Sequence, residues 1–446
     1  MAATTERMTE GAIGRKIVRF AIPLFLGNLF QQLYNTADAL IVGNLLGDSA
    51  LAAVSSTGSL IFLLVGFFHG ISMGAGVVIS QQFGAKNTEK MRKAIHTNLA
   101  FSLVTGFLLT VVGTTLTPQF LEWMQTPAEV MPQATSYLRI YFAGSFGMVL
   151  YNACMGTMQA LGDSRHPLYY LILSSGINVV LDLLFVGGFG MDVDGAALAT
   201  ILSQFVSAFL CLYRLLRTKE DYRISLKAIR FDPPLLWQII RYGLPSGLQN
   251  SVIAIANVVV QSNINAFGEM AMSGCGAYAK IEGFAFLPIT SFTAAITTFV
   301  GQNLGAGEYE RTKKGARFGV TCSILIAEGI GVLMYVFAPL LIGAFTDAPQ
   351  AVTFGVDKAR ICALFYCLLA ASHCLSAVLR GAGRAMVPMV TMLTFWCVIR
   401  VAFLAVMVPL TGSIDAVNWV YPLTWSLSTV TLTVYYLKAN WLQLKN

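Results

Sequence analysis

The sequence is poor in charge. Asp, Glu, Lys and Arg supply only 11% of 446 residues, less than half of the roughly 25% usual in globular proteins. No GxxxxGK phosphate loop, no DDxxD run and no long polar insertion is present. ATP hydrolysis and the prenyl- or glycosyl-transfer chemistry of a membrane enzyme therefore lack their usual parts. No CxxC and no Cys/His ligand cluster occurs either. The eight cysteines (154, 211, 275, 322, 362, 367, 374 and 397) all fall in apolar stretches and are expected as buried, reduced thiols.

What is abundant is apolar. Hydrophobic residues make up 56% of the chain, with 29 Phe and 40 Gly, and the mean hydropathy is +0.67. That balance excludes a soluble protein, a nucleic-acid binder and a disordered chain, and predicts a polytopic membrane protein embedded in a lipid bilayer. Stretches long enough to cross recur at 17–43, 52–80, 94–118, 133–160, 167–190 and 195–216. Six more follow at 235–267, 273–300, 316–345, 352–379, 387–410 and 416–438. The fold class expected is all-α, with twelve transmembrane helices. Residues 1–16 are polar and basic, and the first apolar run is too long for a signal peptide, so it should be retained.

Basic residues are concentrated in alternate connections, which hold 24 of the 29, while the intervening loops carry acids instead. The net charge of +7 thus reads as membrane orientation. Both termini and the linker at 217–234 are expected in the cytoplasm, and the protein in the cell membrane.

A shift of 221 residues overlays the two halves. Gln81 falls on Gln302, Gly84-Ala85 on Gly305-Ala306, Arg139 on Arg360, Gly162 on Gly383, Pro167 on Pro388 and Asp194 on Asp415. Matches of polar, Gly and Pro positions are not the product of shared apolar composition. Each half has six helices, an even number, so the repeat is parallel. The lobes expected are 1–216 and 235–446, joined by the linker at 217–234. Two such bundles would enclose a central cavity suited to alternating access.

Several motifs carry a resemblance. Pro23, Asn35-Thr-Ala-Asp38 with Val42-Gly43, and Gln81-Gln-Phe-Gly84-Ala85 are similar to the multidrug and toxic compound extrusion (MATE) family. So are Gly156-Thr-Met-Gln159-Ala-Leu-Gly162-Asp163 and Val300-Gly301-Gln302-Asn303-Leu-Gly305-Ala306. The resemblance spans essentially the whole chain and points to a prokaryotic transporter of the proton-coupled branch typified by DNA-damage-inducible protein F. It implies export of small organic compounds, often cationic and aromatic, in exchange for H⁺ or Na⁺, with no other cofactor. A monomer without a nucleic-acid partner is expected, and no enzymatic activity.

Ionisable residues inside a membrane cost roughly 2.5–3.5 kcal/mol each on insertion scales, so each needs a reason. Asn28, Gln31, Asn35 and Asp38 recur at spacings of three and four, a polar stripe on helix 1. Asn178 and Asp182 stand four apart on helix 5, and Thr200 on helix 6 adds a hydroxyl. Carboxylate, amide and hydroxyl oxygens suit either Na⁺ or a shared proton. The family resemblance supports this set and adds Tyr137. At +221 the counterparts of Asp38, Asn178, Asp182 and Thr200 are Val259, Ile399, Phe403 and Tyr421. Carboxylates kept on one side only argue for function over a structural need common to both lobes.

Candidates for the substrate cavity are Gln31, Asn35, Asn152, Asn257, Gln261, Glu282 and Arg400. Glu282 and Arg400 suit structural pairing and substrate contact equally, and Glu328 is open in the same way. Lys280 and His373 complete the C-terminal charges, His373 reading better as packing than as a relay. Helix 7 has no acid near Ile253, unlike the sodium-coupled branch of the family. Arg139 and Arg360, present in both halves, read as structural. Gly70, Gly74 and Gly76, with Pro23, Pro245 and Pro288, mark expected bends. A channel is disfavoured, since nothing suggests a pore ring. The alternative within transport is a flippase for a lipid-linked sugar or another amphiphile.

Overall fold

The computed structural model describes residues 7–443, apart from the side chains at 48, 49, 51, 52, 55, 56 and 59. Among these residues there is no strand. With no water in lipid to satisfy a bare backbone, an open chain can cross only as helices that close their own hydrogen bonds.

Twelve helical rods result. The first six are α1 (Ile13–Leu46), α2 (Asp48–Gly84), α3 (Thr88–Trp123), α4 (Met131–Ala143, then Ser145–Ala160), α5 (Arg165–Asp182) and α6 (Val193–Arg217). The second six are α7 (Pro233–Asn265), α8 (Glu269–Ala285, then Leu287–Gly305), α9 (Tyr309–Gly343), α10 (Pro349–Ala363, then Tyr366–Gly381), α11 (Met386–Met392, continuing through Arg400–Thr411) and α12 (Asp415–Lys438). By length and hydropathy alone only eight helices qualify as spans, or nine if the α10 segments, bent by 55°, count as one. The others fall short because polar residues interrupt them. Large apolar side chains nonetheless stay exposed on many helices, Phe107, Leu325 and Leu410 among them, as a lipid-facing surface requires.

Two compact units divide the chain. One comprises residues up to Arg7 together with Leu26–Leu244; the other comprises Met8–Phe25 and Pro245–Asn446. The change-overs fall inside α1 and α7, next to Pro23 and at Pro245. A proline lacks the N–H that the preceding turn needs, so these are weak points in both ladders.

In each unit a segment leading into a helix is tied down by side chains. In the C-terminal unit, Met8 N–H donates to Gln302 Oε1 (2.9 Å). Arg311 donates to the carbonyls of Met8 (3.0 Å), Glu10 (3.2 Å) and Gly11 (2.7 Å). In the N-terminal unit the linker plays this part. Ser225 N–H donates to His96 Nε2 (3.1 Å), and Asp232 N–H to Thr97 Oγ1 (3.1 Å).

The repeat reaches the turns. Gly47 and Gly268 share a left-handed φ of 85° and 94°, and Gly162 and Gly383 one of 89° and 73°. Gly307 (φ 75°) has Lys86 (φ 57°) as its counterpart, a conformation that crowds a Cβ. Replacing Lys86 by Gly is expected to stabilise the protein by about 1 kcal/mol, measurable as a higher unfolding temperature in detergent.

The expected bends need correction. The glycines of α2 produce no break, for α2 runs unbroken from Asp48 to Gly84. Gly74 instead lets α7 approach, since a Cβ there would meet the Gly243 backbone nitrogen at 2.2 Å. Whereas α1 and α7 run unbroken through Pro23 and Pro245, helix breaks fall at Gly144 in α4, at Phe286 in α8, beside Pro288 as expected, and near Leu364 in α10. At the last of these, Glu328 Oε2 accepts the N–H of Cys367 (3.0 Å), in the first turn of the second segment. That N–H has no partner within its own helix. Glu328→Leu is expected to cost about 1–3 kcal/mol, whereas Glu328→Gln keeps the bond; chemical denaturation of the two variants separates them.

Candidate functional site

The N-terminal unit brings Asp38 and Asp182 together at one place. Asn178 and Asp182, one turn apart on α5, are both fully buried, and Thr200 on α6 is 5% exposed. With its amide oriented to satisfy both neighbours, the Asn178 nitrogen donates to Asp182 Oδ2 (3.0 Å). Its oxygen accepts the N–H of Thr200 (3.2 Å). Asn178 thereby fixes α5 to α6 and aims Asp182. The α-helix ends at Asp182 and a π-helical turn, Leu183–Gly188, follows. Such turns recur where a side chain must be re-aimed at a functional site.

Asp38 on α1 faces Asp182 closely enough for the two carboxyls to share a proton. Two carboxylates repel; a bond between them requires that one carries a proton and donates it. The second oxygens, Asp38 Oδ1 and Asp182 Oδ1, are buried without any partner, which leaves the centre short of positive charge.

Phenols surround the pair. Tyr34, one turn before Asp38, is hydrogen-bonded to Thr200. Thr200 Oγ1 in turn donates to the Ala196 carbonyl (3.0 Å). Tyr137 is buried and lies in the field of both Asp38 and Asp182. It stacks on Tyr141 at a centroid distance of 6.4 Å. The structure therefore brings together Asp38, Asn178, Asp182, Thr200 and Tyr137. It adds Tyr34 and Tyr141, for which the i−4 and i+4 spacings from Asp38 and Tyr137 were available signals.

The Thr200 hydroxyl gives its proton to the Ala196 carbonyl and keeps its oxygen lone pairs, so that oxygen, the Asn178 oxygen and the two unpartnered carboxyl oxygens are the atoms the site offers to a proton or to Na⁺. Among the described residues no group of three or more His, Cys, Asp or Glu side chains is placed to hold a metal ion.

The other candidates are scattered. Gln31 and Asn35 are exposed. Asn152 donates to the Met148 carbonyl of its own helix (2.9 Å), and Gln261 to Asn265 Oδ1 (2.8 Å). In the C-terminal unit Glu282 and Arg400 do not bond each other. Glu282 Oε1 accepts from the Tyr278 hydroxyl (2.8 Å). Arg400 donates to Asn257 Oδ1 (3.3 Å) and Thr424 Oγ1 (2.9 Å). Lys280 is exposed over the Phe345 ring. His373 lies between Phe286 and Trp396, with ring centroids at 5.0 and 5.3 Å, as a packing residue. Lys358, 4% exposed, is a buried cation that sequence reasoning passed over.

Comparison with known proteins agrees with the repeat. The MatE family profile matches residues 23–184 and again 245–406. Over 443 residues the chain is 30% identical to the probable multidrug resistance protein YoeA of Bacillus subtilis, covering 97% of this chain and 95% of that one. It is also 30% identical to the probable multidrug resistance protein YpnP of the same organism over 446 residues, 98% of each chain. An outward-facing multidrug resistance MATE family transporter of the MOP superfamily superposes with a TM-score of 0.89 at 25% identity, covering 98% of this chain and 97% of that one. Two matched halves on a twelve-helix membrane scaffold place this chain in the MatE family of transporters.

Proposed function

We propose that the protein exports organic, chiefly cationic or aromatic, compounds from the cell by antiport against protons, through alternating access. The relatives named for multidrug resistance support the export reading. The observation that carries the coupling reading is the meeting of Asp38 and Asp182, two carboxyls placed to share one exchangeable proton inside the membrane. Loss of that proton sets two buried like charges against each other, and separation of α1 from α5 relieves them. Pro23 and the π turn after Asp182 are the compliant points on either side. Net positive charge in alternate loops supports cytoplasmic termini in the cell membrane.

The test is efflux of a dye cation from proteoliposomes driven in turn by a pH gradient and by a Na⁺ gradient. Export that follows the pH gradient and ignores Na⁺ is expected. Export driven by Na⁺ alone overturns proton coupling, and export indifferent to both overturns antiport.

A further inference from the structure

The C-terminal unit holds a second charged centre, and its sign is reversed. Lys358 on α10 and Arg400 on α11 are 4% and 1% exposed. Both rest on the ring of Tyr421 on α12, at 5.0 Å and 4.8 Å from its centroid. Lys358 also faces Tyr278 (5.4 Å), and Arg400 faces Trp396 (5.1 Å). The nearest acid, Glu282, lies in the field of both cations but takes its hydrogen bond from Tyr278. Among the described residues no carboxylate reaches ion-pairing distance of either cation.

Two cations and one carboxylate leave a net positive charge in a buried, membrane-spanning setting. Aromatic faces compensate only part of that cost. Donors are also in surplus. Arg400 Nε has no partner, and the fully buried Asn418 has none for either side-chain atom. Asn418 lies one turn before Tyr421 on α12, and its carbonyl accepts from Cys362, one turn after Lys358 on α10. The missing element is an acceptor with negative charge.

The internal repeat gives this centre its meaning. At +221 Tyr137, which lies in the field of the carboxylate pair, becomes Lys358, and Thr200 becomes Tyr421. Two positions beside the carboxylates in one half thus hold, in the other, a cation and the ring it rests on. We propose that Lys358 and Arg400, with the Asn418 amide, form a binding site for a single anionic group. Its occupant is a small inorganic anion or the acidic group of an organic compound. Charge-assisted donors on three different helices suit such a group. This goes beyond proton coupling, which concerns the other unit.

The test is thermal stability of the purified full-length protein titrated with chloride, with 2-naphthoate and with the neutral 2-naphthamide. Stabilisation by at least one anion, and not by the amide, is expected. Lys358→Met and Arg400→Met should each weaken that binding roughly tenfold or more, the effect of one lost charge-assisted contact, while Lys358→Arg restores it. Chloride acting alone identifies a free anion, and naphthoate acting alone an organic acid. If both methionine variants fail to fold, Trp396→Phe, which leaves the cations in place, should abolish the anion-dependent change in tryptophan fluorescence. Neither anion binding, affinity unchanged in Lys358→Met and Arg400→Met, or a fluorescence change that survives Trp396→Phe overturns the proposal. Because binding is read, the outcome is independent of how export is driven.

Discussion

Asp182→Asn is expected to bring gradient-driven export down to the leak rate of empty liposomes while the protein still folds. The reason lies in which property the substitution removes. An asparagine oxygen still accepts the bond from the Asn178 amide, so α5 stays fixed to α6. Its amide can still donate to Asp38, so the contact between α1 and α5 persists. What disappears is the ability to release and regain a proton, and with it the repulsion that would drive α1 and α5 apart. Asp38→Asn should behave alike. Substrate binding, measured by fluorescence polarisation of the dye, should survive in both variants. An Asp182→Asn protein that exports at the wild-type rate would remove this pair from the coupling mechanism. One that fails to fold would assign the pair to structure.

The second large effect concerns packing. A Cβ on Gly274 of α8 would stand 2.1 Å from the Ala351 carbonyl oxygen and 2.8 Å from the Gly355 nitrogen of α10. Both are backbone atoms, so no rotamer change relieves the clash and the helices must move apart. Without a hydrophobic drive between helices in lipid, such close approach is a main source of cohesion. Gly274→Ala is expected to cost about 3 kcal/mol, at the upper end of overpacking effects. Two residues on, Gly276 has nothing within 4 Å of its would-be Cβ. There alanine should stabilise, by about 1 kcal/mol or less, through helix propensity. Unfolding midpoints of the two variants should therefore move in opposite directions.

The periodic parts of the fold were legible in the sequence. Gly, Pro and charged positions recur at one offset and fix the two halves, where hydropathy alone finds too few spans. It misses α1 because Asn28, Gln31, Asn35 and Asp38 dilute the apolar run, and those residues include the site itself. The i, i+4 relation of Asn178 and Asp182 was readable because both lie on one helix. Their meeting with Asp38 is tertiary and rested on chemistry and resemblance. Bends were harder. Pro288 announced the break at Phe286, but Gly144 and Leu364 mark breaks that depend on neighbours, such as Glu328 supplying an acceptor at Cys367, whereas the Gly-rich stretch of α2 serves contact. Lys358 is hidden because one Lys among Asp357, Ala359 and Arg360 looks like a solvated helix end. Only its burial and the rings of Tyr278 and Tyr421 show otherwise.

The exchange of half-helices next to Pro23 and at Pro245 bears on how such a chain arises and how it can be divided. A gene cut at the linker would give a first fragment that carries residues 8–25, which belong to the other body, and lacks 233–244, which belong to its own. Neither product would own a complete core, and only co-expression would restore both. The same holds for an ancestor of half the length. It would have been an obligate pair in which each copy lent its first half-helix to the other. Fusion would turn an association governed by concentration into a covalent one, and would free the two copies to diverge in charge.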